Sequence, residues 1–253
     1  MGGPPMAKRP IIFSGPMVQA ILDGRKTQTR RIVKGASGAT SIWGGERDGL
    51  WSIERFGEPC QAMIRCPYGH PGDVLWVRET WQMLDPFAIN YQATPTRDGQ
   101  AAQCLCSILG LMIRRDQEAG RDPYRWRVPI FMPHWACRLF LQVLSVRVER
   151  VQEISEEDVH AEGVDCDLCD ERFPGSSCDN PKFYYQRQFA NLWDSINAKK
   201  GPVVKASDLS HLSLEAKLEF LAARKCGHAW AANPWVWVVE FKVANAPGGG
   251  EGG

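Results

Sequence analysis

The sequence holds no run of eighteen apolar residues, and its opening stretch of Gly, Pro, Lys and Arg lacks the hydrophobic segment of a secretory leader. Both absences read as a soluble chain of the cytoplasm. Net charge is nearly absent as well: the formal value is +1. That excludes a whole-surface polyanion binder, so any basic surface must be local, in segments such as 25–34, 114–127 and 147–150. No Gly-x-Gly-x-x-Gly loop joins a strand to a helix, the literal match at 248–253 lying in the Gly-rich tail, and no alternation of strand and helix occurs, which argues against the dinucleotide-binding folds. Paired Cys-x-x-Cys motifs are missing too: Cys166-x-x-Cys169 stands alone.

With 253 residues, 44% hydrophobic and 23% charged, the chain can bury a core for one large domain or one domain with insertions. Nine cysteines, an odd number, in a chain of this size read as reduced thiols rather than a disulfide framework. Residues 1–8 and the Gly-rich tail 246–253 read as disordered ends around a single domain over 9–245.

Ile11-Ile12-Phe13 reads as a short buried strand. Ser14-Gly15-Pro16 then opens a helix whose apolar face is Met17, Val18, Ile21 and Leu22, and Gly24 stands where a helix-ending glycine belongs. Immediately after it comes Arg25-Lys26-Thr27-Gln28-Thr29-Arg30-Arg31, a density of cations and hydroxyls that a buried strand does not need. An anionic ligand, phosphate first, explains it; a solvated edge strand is the competing reading.

Further along, Trp43 and Trp51 flank a Gly-rich turn and predict a hairpin over 41–57. Residues 74–81 read as a strand with Leu75 and Val77 on one face and Trp76 and Arg78 on the other, whereas 85–123 is the least regular stretch. A long strand over 138–151, bent or bulged between 143 and 146, leads to a two-turn helix with Ser155 as N-cap, Asp158 at N3 and Gly163 as stop. Tyr185, Phe189, Leu192, Trp193 and Ile196 mark an amphipathic helix over 182–197 with that face in the core. A weaker helix over 213–225 and a strand over 235–241 complete an α+β chain.

Taken together, Ile12-Phe13, Gly24-Arg25-Lys26-Thr27-Gln28-Thr29-Arg30, Pro71-Gly72-Asp73-Val74-Leu75-Trp76-Val77-Arg78-Glu79, the run from Ile154 to Gly163 and Asn233-Pro234-Trp235-Val236-Trp237 resemble the ASCH domain of the PUA-like superfamily, and in particular ASCH proteins encoded by bacteriophages and prophages. The resemblance implies a small PUA-like β-barrel with flanking helices. It also implies a cleft for a nucleobase or nucleoside, RNA at a basic rim, and the host cytoplasm as location if the gene is carried by a phage. Insertions near 34–70, 82–135 and 164–230 set this chain apart from the small members.

One branch of that family removes the acetyl group from N4-acetylcytidine. Its motif, a Lys, a Thr three residues later and a distant Glu, falls on Lys26, Thr29 and Glu162. The resemblance implies an amidohydrolase in which Thr29 attacks the acyl carbonyl, Lys26 takes its proton and Glu162 positions Lys26 or protonates the leaving amine, with no cofactor required for the chemistry. The residues themselves leave room for ordinary roles, because β-branched threonines suit strands. Glu162, though, sits in a last helical turn, where the dipole disfavours a carboxylate. In a regular strand, residues three apart face opposite sides, so the scheme needs Lys26 in the turn before the strand.

Arg25, Thr27, Arg30, Arg31, Trp76 and Arg78 are the candidate contacts for substrate or nucleic acid, through phosphate pairing and base stacking. A non-catalytic module binding RNA or a modified base, and a ribonuclease, are the alternatives. Separately, His160, Cys166, Cys169 and Cys178 are a candidate structural zinc set, with reduced loop thiols as the competing reading.

Overall fold

The structure is a computed structural model that describes residues 7–36, 39–45, 49–55, 58–85, 88–94, 100–101, 106–164, 181–197 and 229–244. Along the chain come β1 (Lys8–Ile12), α1 (Gly15–Leu22), β2 (Gln28–Ile32), β3 (Ala39–Gly44), β4 (Leu50–Arg55), β5 (Glu58–Arg65), β6 (Val74–Arg78), β7 (Trp81–Asp85), β8 (Ala88–Tyr91), β9 (Gln100–Ala101), α2 (Cys106–Glu118), β10 (Phe140–Arg150), α3 (Glu156–Ala161), α4 (Pro181–Asn197) and β11 (Trp235–Ala244). The class is α+β, and among the described residues the strands form open sheets rather than a closed barrel. The chain divides into two compact units. The first comprises Met1–Thr27, Pro67–Ser145 and Glu240–Gly253; the second comprises Gln28–Cys66 and Val146–Val239.

In the first unit the strand order is β1-β6-β10-β11. β1 lies parallel to β6, with Ile11 opposite Val77, and β6 is antiparallel to β10, with Leu75 opposite Leu141. Helix α1 begins with Pro16 in its first turn and packs Val18, Ala20 and Ile21 inward. It ends at Gly24, whose φ of +76° is the left-handed conformation that only glycine adopts without strain.

The strand expected over 74–81 divides. β6 stops at Arg78 because the backbone N–H of Glu79 donates to Met132 Sδ instead of a neighbouring strand, and β7 starts afresh at Trp81. The stretch that looked least regular in sequence carries a sheet of its own, β7-β8-β9, and helix α2. Trp81, Met83, Ile89, Tyr91, Ile113, Met132 and Ala136 form its core. Its apolar residues are spread over short strands, a helix and tight turns, so no single period emerges from the sequence.

In the second unit β3, β4 and β5 form an antiparallel meander, with Trp43 opposite Ser52 across the expected hairpin. Beside it the order is β10-β11-β2, leaving β2 as the last strand of its sheet. Helices α3 and α4 pack through Val159, Tyr185, Phe189 and Trp193 against Val151, Ile154, Val236 and Val238. Ile196 departs from the expected core face: at 50% exposure on the last turn of α4 it has run past the end of that core. β10 is one continuous eleven-residue strand. Residues 1–6, the helix expected over 213–225 and the tail 246–253 lie outside the described residues. Among those described, no helix is long and apolar enough to cross a membrane.

Candidate functional site

Three periodicities in the second unit converge on one cluster of charge. On β2 the period of two puts Gln28 and Arg30 on the same face; on β10 it does the same for Arg147 and Glu149. On α3 the i, i+4 spacing aligns Asp158 with Glu162. The guanidinium of Arg30, its side chain 1% exposed, donates through Nε and Nη2 to Glu149 Oε1, through Nη2 to Asp158 Oδ2 at 2.7 Å, and through Nη1 to Glu162 Oε1 at 3.5 Å. Arg147 donates to both oxygens of Asp158 at 2.9 and 2.8 Å, and to Glu149 Oε2 at 3.2 Å. Phe189 lies against the guanidinium of Arg30, 5.8 Å from ring centroid to Cζ.

Helix α3 owes its position to its caps. Ser155 accepts a hydrogen bond from the N–H of Asp158 at 3.2 Å, and Gly163, at φ +77°, ends the helix one residue after Glu162. Glu162 is therefore the C-cap residue, placed against the helix dipole and only 7% exposed. A carboxylate in that position needs a cation, and Arg30 supplies it.

Two guanidinium groups, Arg30 and Arg147, thus share three carboxylates. Burial raises the carboxyl pKa of Asp158, but the Arg147 hydrogen bond and the Arg30 charge outweigh it and hold the group below its ordinary 3.8. Burial lowers the pKa of Arg147, while Asp158 and Glu149 together lift it above its usual range. Fixed ionic partners of this kind set the direction of side chains that touch them.

The motif residues are sealed from solvent. Thr29 on β2 is 1% exposed, and Lys26, three residues earlier, is 2% exposed. Lys26 lies past the turn at Asp23–Gly24, as a bridge residue two positions before β2 and not within the turn that the catalytic scheme asks for; its N–H donates to Ala20 O at 3.0 Å, and its Nζ lies 5.9 Å from the Phe13 ring centroid. Alternation along β2 turns Thr29 to the opposite face from Gln28 and Arg30.

The rest of the basic run is disposed differently. Arg25 is exposed and paired with Asp23 at 3.0 Å, Thr27 is exposed, and Arg31 is half-buried. Trp76 and Arg78 belong to the first unit, where the guanidinium of Arg78 lies 4.4 Å from the Trp76 ring centroid and donates to Ile130 O at 3.2 Å. Trp76 is buried, edge-on to His134 at 5.2 Å. Of the candidate zinc set, His160 is exposed and packs on Tyr185 at 4.7 Å, whereas Cys166, Cys169 and Cys178 lie outside the described residues. Among the described residues no three His, Cys, Asp or Glu side chains are grouped to hold a metal.

Glu149, Asp158 and Arg147 are cluster members that reading the sequence for chemistry passed over. Arg147-x-Glu149 looked like part of a basic surface segment, and Asp158 looked sufficient as a cap. The signal that finds them is the pair of charges at i, i+2 on a strand otherwise half-buried. No protein-family model, no curated protein and no solved structure matches this chain.

Proposed function

We propose that the chain is a PUA-like, ASCH-type amidohydrolase that removes an acyl group from a modified nucleoside such as N4-acetylcytidine. The observation that carries this reading is the tie between Glu162 and Arg30. It brings a carboxylate from a helix more than a hundred residues away to β2, beside Arg30 and across the strand from the face of Thr29. Lys26 joins by chain continuity, three residues before Thr29 and equally buried. Burying such groups destabilises a fold unless they are paired or used.

In the reaction, Thr29 Oγ forms a bond to the acyl carbon as Lys26 takes its proton. The C–N4 bond then breaks, the nucleoside amine receives a proton from Lys26 or Glu162, and water releases acetate from Thr29. β2 is the last strand of its sheet, so a ligand lying along its outer edge reaches both of its faces. The described cations also argue for a small ligand over a polyanion at this place, because Arg25 and Arg30 already hold carboxylates.

The test is incubation of purified protein with N4-acetylcytidine, followed by chromatography for cytidine, beside Lys26→Ala, Thr29→Val and Glu162→Gln. Turnover in the wild type is expected to fall by about a hundredfold or more in each variant. A folded wild type that releases no cytidine sinks the reading, and a Thr29→Val protein as active as wild type removes Thr29 as nucleophile. The mechanism draws on side chains alone. A structural zinc on His160, Cys166, Cys169 and Cys178 is a separate proposal, overturned by less than one equivalent of zinc in protein prepared without chelator.

A second reading, an RNA- or base-binding module, has its own support in the first unit. Tyr124 and Trp126 are exposed rings on which single-stranded bases stack, flanked by Arg121 and Arg125, which hold Asp116. Salt-sensitive RNA binding that is lost in Trp126→Ala, with no acetate release, favours that reading.

A further inference from the structure

Gln28 opens β2 and is 2% exposed. Its Oε1 accepts from Arg147 Nη2 at 3.3 Å, and since a guanidinium can only donate, this contact fixes which way the amide is turned. Nε2 must then point away from Arg147, and there it is sealed from solvent with no hydrogen-bond partner among the described residues. A donor left without an acceptor inside a protein is destabilising, so its retention beside a cluster of fixed charges calls for an acceptor that the fold does not supply. The cluster opens to solvent at Arg147, whose side chain is 36% exposed, next to this amide.

From these contacts we infer that Gln28 is a ligand-binding residue whose Nε2 donates to a neutral carbonyl oxygen of the ligand. The chemistry follows from the surroundings. A cationic ligand group is repelled by a donor. An anionic group would have to be stripped of water beside a side chain that is 2% exposed, whereas a carbonyl oxygen accepts without bringing a charge into the interior. A nucleoside carrying an N-acyl group offers two such oxygens, the acyl oxygen and the pyrimidine 2-oxo group. The inference rests for its substrate on the amidohydrolase reading and assigns Gln28 to recognition, since it faces away from Thr29 on β2.

Gln28→Glu is the informative variant. It keeps the size of the side chain and an oxygen facing Arg147, and it replaces the donor by an acceptor. Binding of cytidine and of N4-acetylcytidine to both proteins is measured by calorimetry, with the thermal midpoint of each ligand-free protein as a control. The expected result is an affinity reduced by about tenfold or more, with a midpoint within about 3 °C of wild type. Loss for both nucleosides assigns the 2-oxo group, and loss for N4-acetylcytidine alone assigns the acyl oxygen and, because Gln28 and Thr29 face opposite sides of β2, removes Thr29 as the attacking residue. Wild-type affinity in Gln28→Glu overturns the inference. Where the midpoint falls by about 5 °C or more, from the carboxylate buried in the variant, the decision passes to the Gln28 side-chain amide resonance, read in the wild type.

If the wild type binds neither nucleoside, the substrate reading fails by itself. The role of Gln28 is then decided by the side-chain amide proton resonance that Gln28→Glu removes. A downfield shift of that resonance on adding N-methylacetamide upholds carbonyl recognition, and an unmoved resonance overturns it.

Discussion

In the first unit a single carboxylate, Asp116, gathers Arg121, Arg125 and Arg127; in the second a single guanidinium, Arg30, gathers Glu149, Asp158 and Glu162. The two clusters use the same side-chain types with the signs reversed. They differ more deeply in span. All partners of Asp116 lie within 11 residues of it, so that cluster staples the end of α2 to the loop that follows. The partners of Arg30 lie 119 to 132 residues away, so that cluster exists only when β2, β10 and α3 are assembled. A local cluster is explained by the turn it holds. A cluster drawn from three distant elements, with a motif carboxylate within it, asks for a functional explanation.

The largest effect that separates the two comes from Arg30→Met. It takes from Glu149, Asp158 and Glu162 the guanidinium that they share, and breaking a buried ion pair from one side costs about 3–5 kcal/mol. Urea unfolding should show that loss, and the fraction still folded should release cytidine from N4-acetylcytidine at less than a tenth of the wild-type rate, because Glu162 loses its anchor. Normal turnover per folded molecule would detach the cluster from the chemistry.

Asp116→Ala probes the other side of the comparison. Arg127 is then buried without its carboxylate, though Arg121 and Arg125 turn to water, so the loss should be smaller, about 2–3 kcal/mol. Turnover per folded molecule should be unchanged. An activity loss equal to that of Arg30→Met would erase the distinction between a local staple and a functional cluster.

The same difference of span explains what the sequence disclosed. Local rules were readable: Pro16 starting α1 and Gly24 ending it, Ser155 and Gly163 bounding α3, and the hairpin between Trp43 and Trp51 are each written within a few residues. The partners of Arg30 were not readable, since a cation in sequence looks the same whether it meets phosphate or a carboxylate on another strand. In the first unit β7, β8 and α2 escaped notice because short strands pair by register rather than by composition. The Cys166–Cys178 stretch and the 213–225 helix stay with the sequence reading alone.

A smaller and more selective effect comes from pH. Asp116 and Asp158 are both held below the ordinary carboxylate value of 3.8. Burial acts to raise each, and it is outweighed at Asp116 by Arg127 and Arg125, and at Asp158 by Arg147 and Arg30. A carboxyl whose folded pKa is depressed adds stability that is complete above its unfolded value and is lost as pH falls through the folded one. Both clusters should therefore weaken below about pH 4, so wild-type acid unfolding alone cannot tell them apart. Asp158→Asn can. It should lower stability at pH 7 by about 1–2 kcal/mol, read as a lower urea midpoint, and narrow the gap between the midpoints at pH 7 and pH 3, because the group that would have taken up a proton is gone. Asp158→Asn also leaves Arg30 paired with Glu149 and Glu162, so the anchor of the motif carboxylate survives. If the variant keeps the full wild-type gap, the acid sensitivity belongs to the Asp116 side alone, and the second cluster is held by Glu149 and Glu162 without help from Asp158.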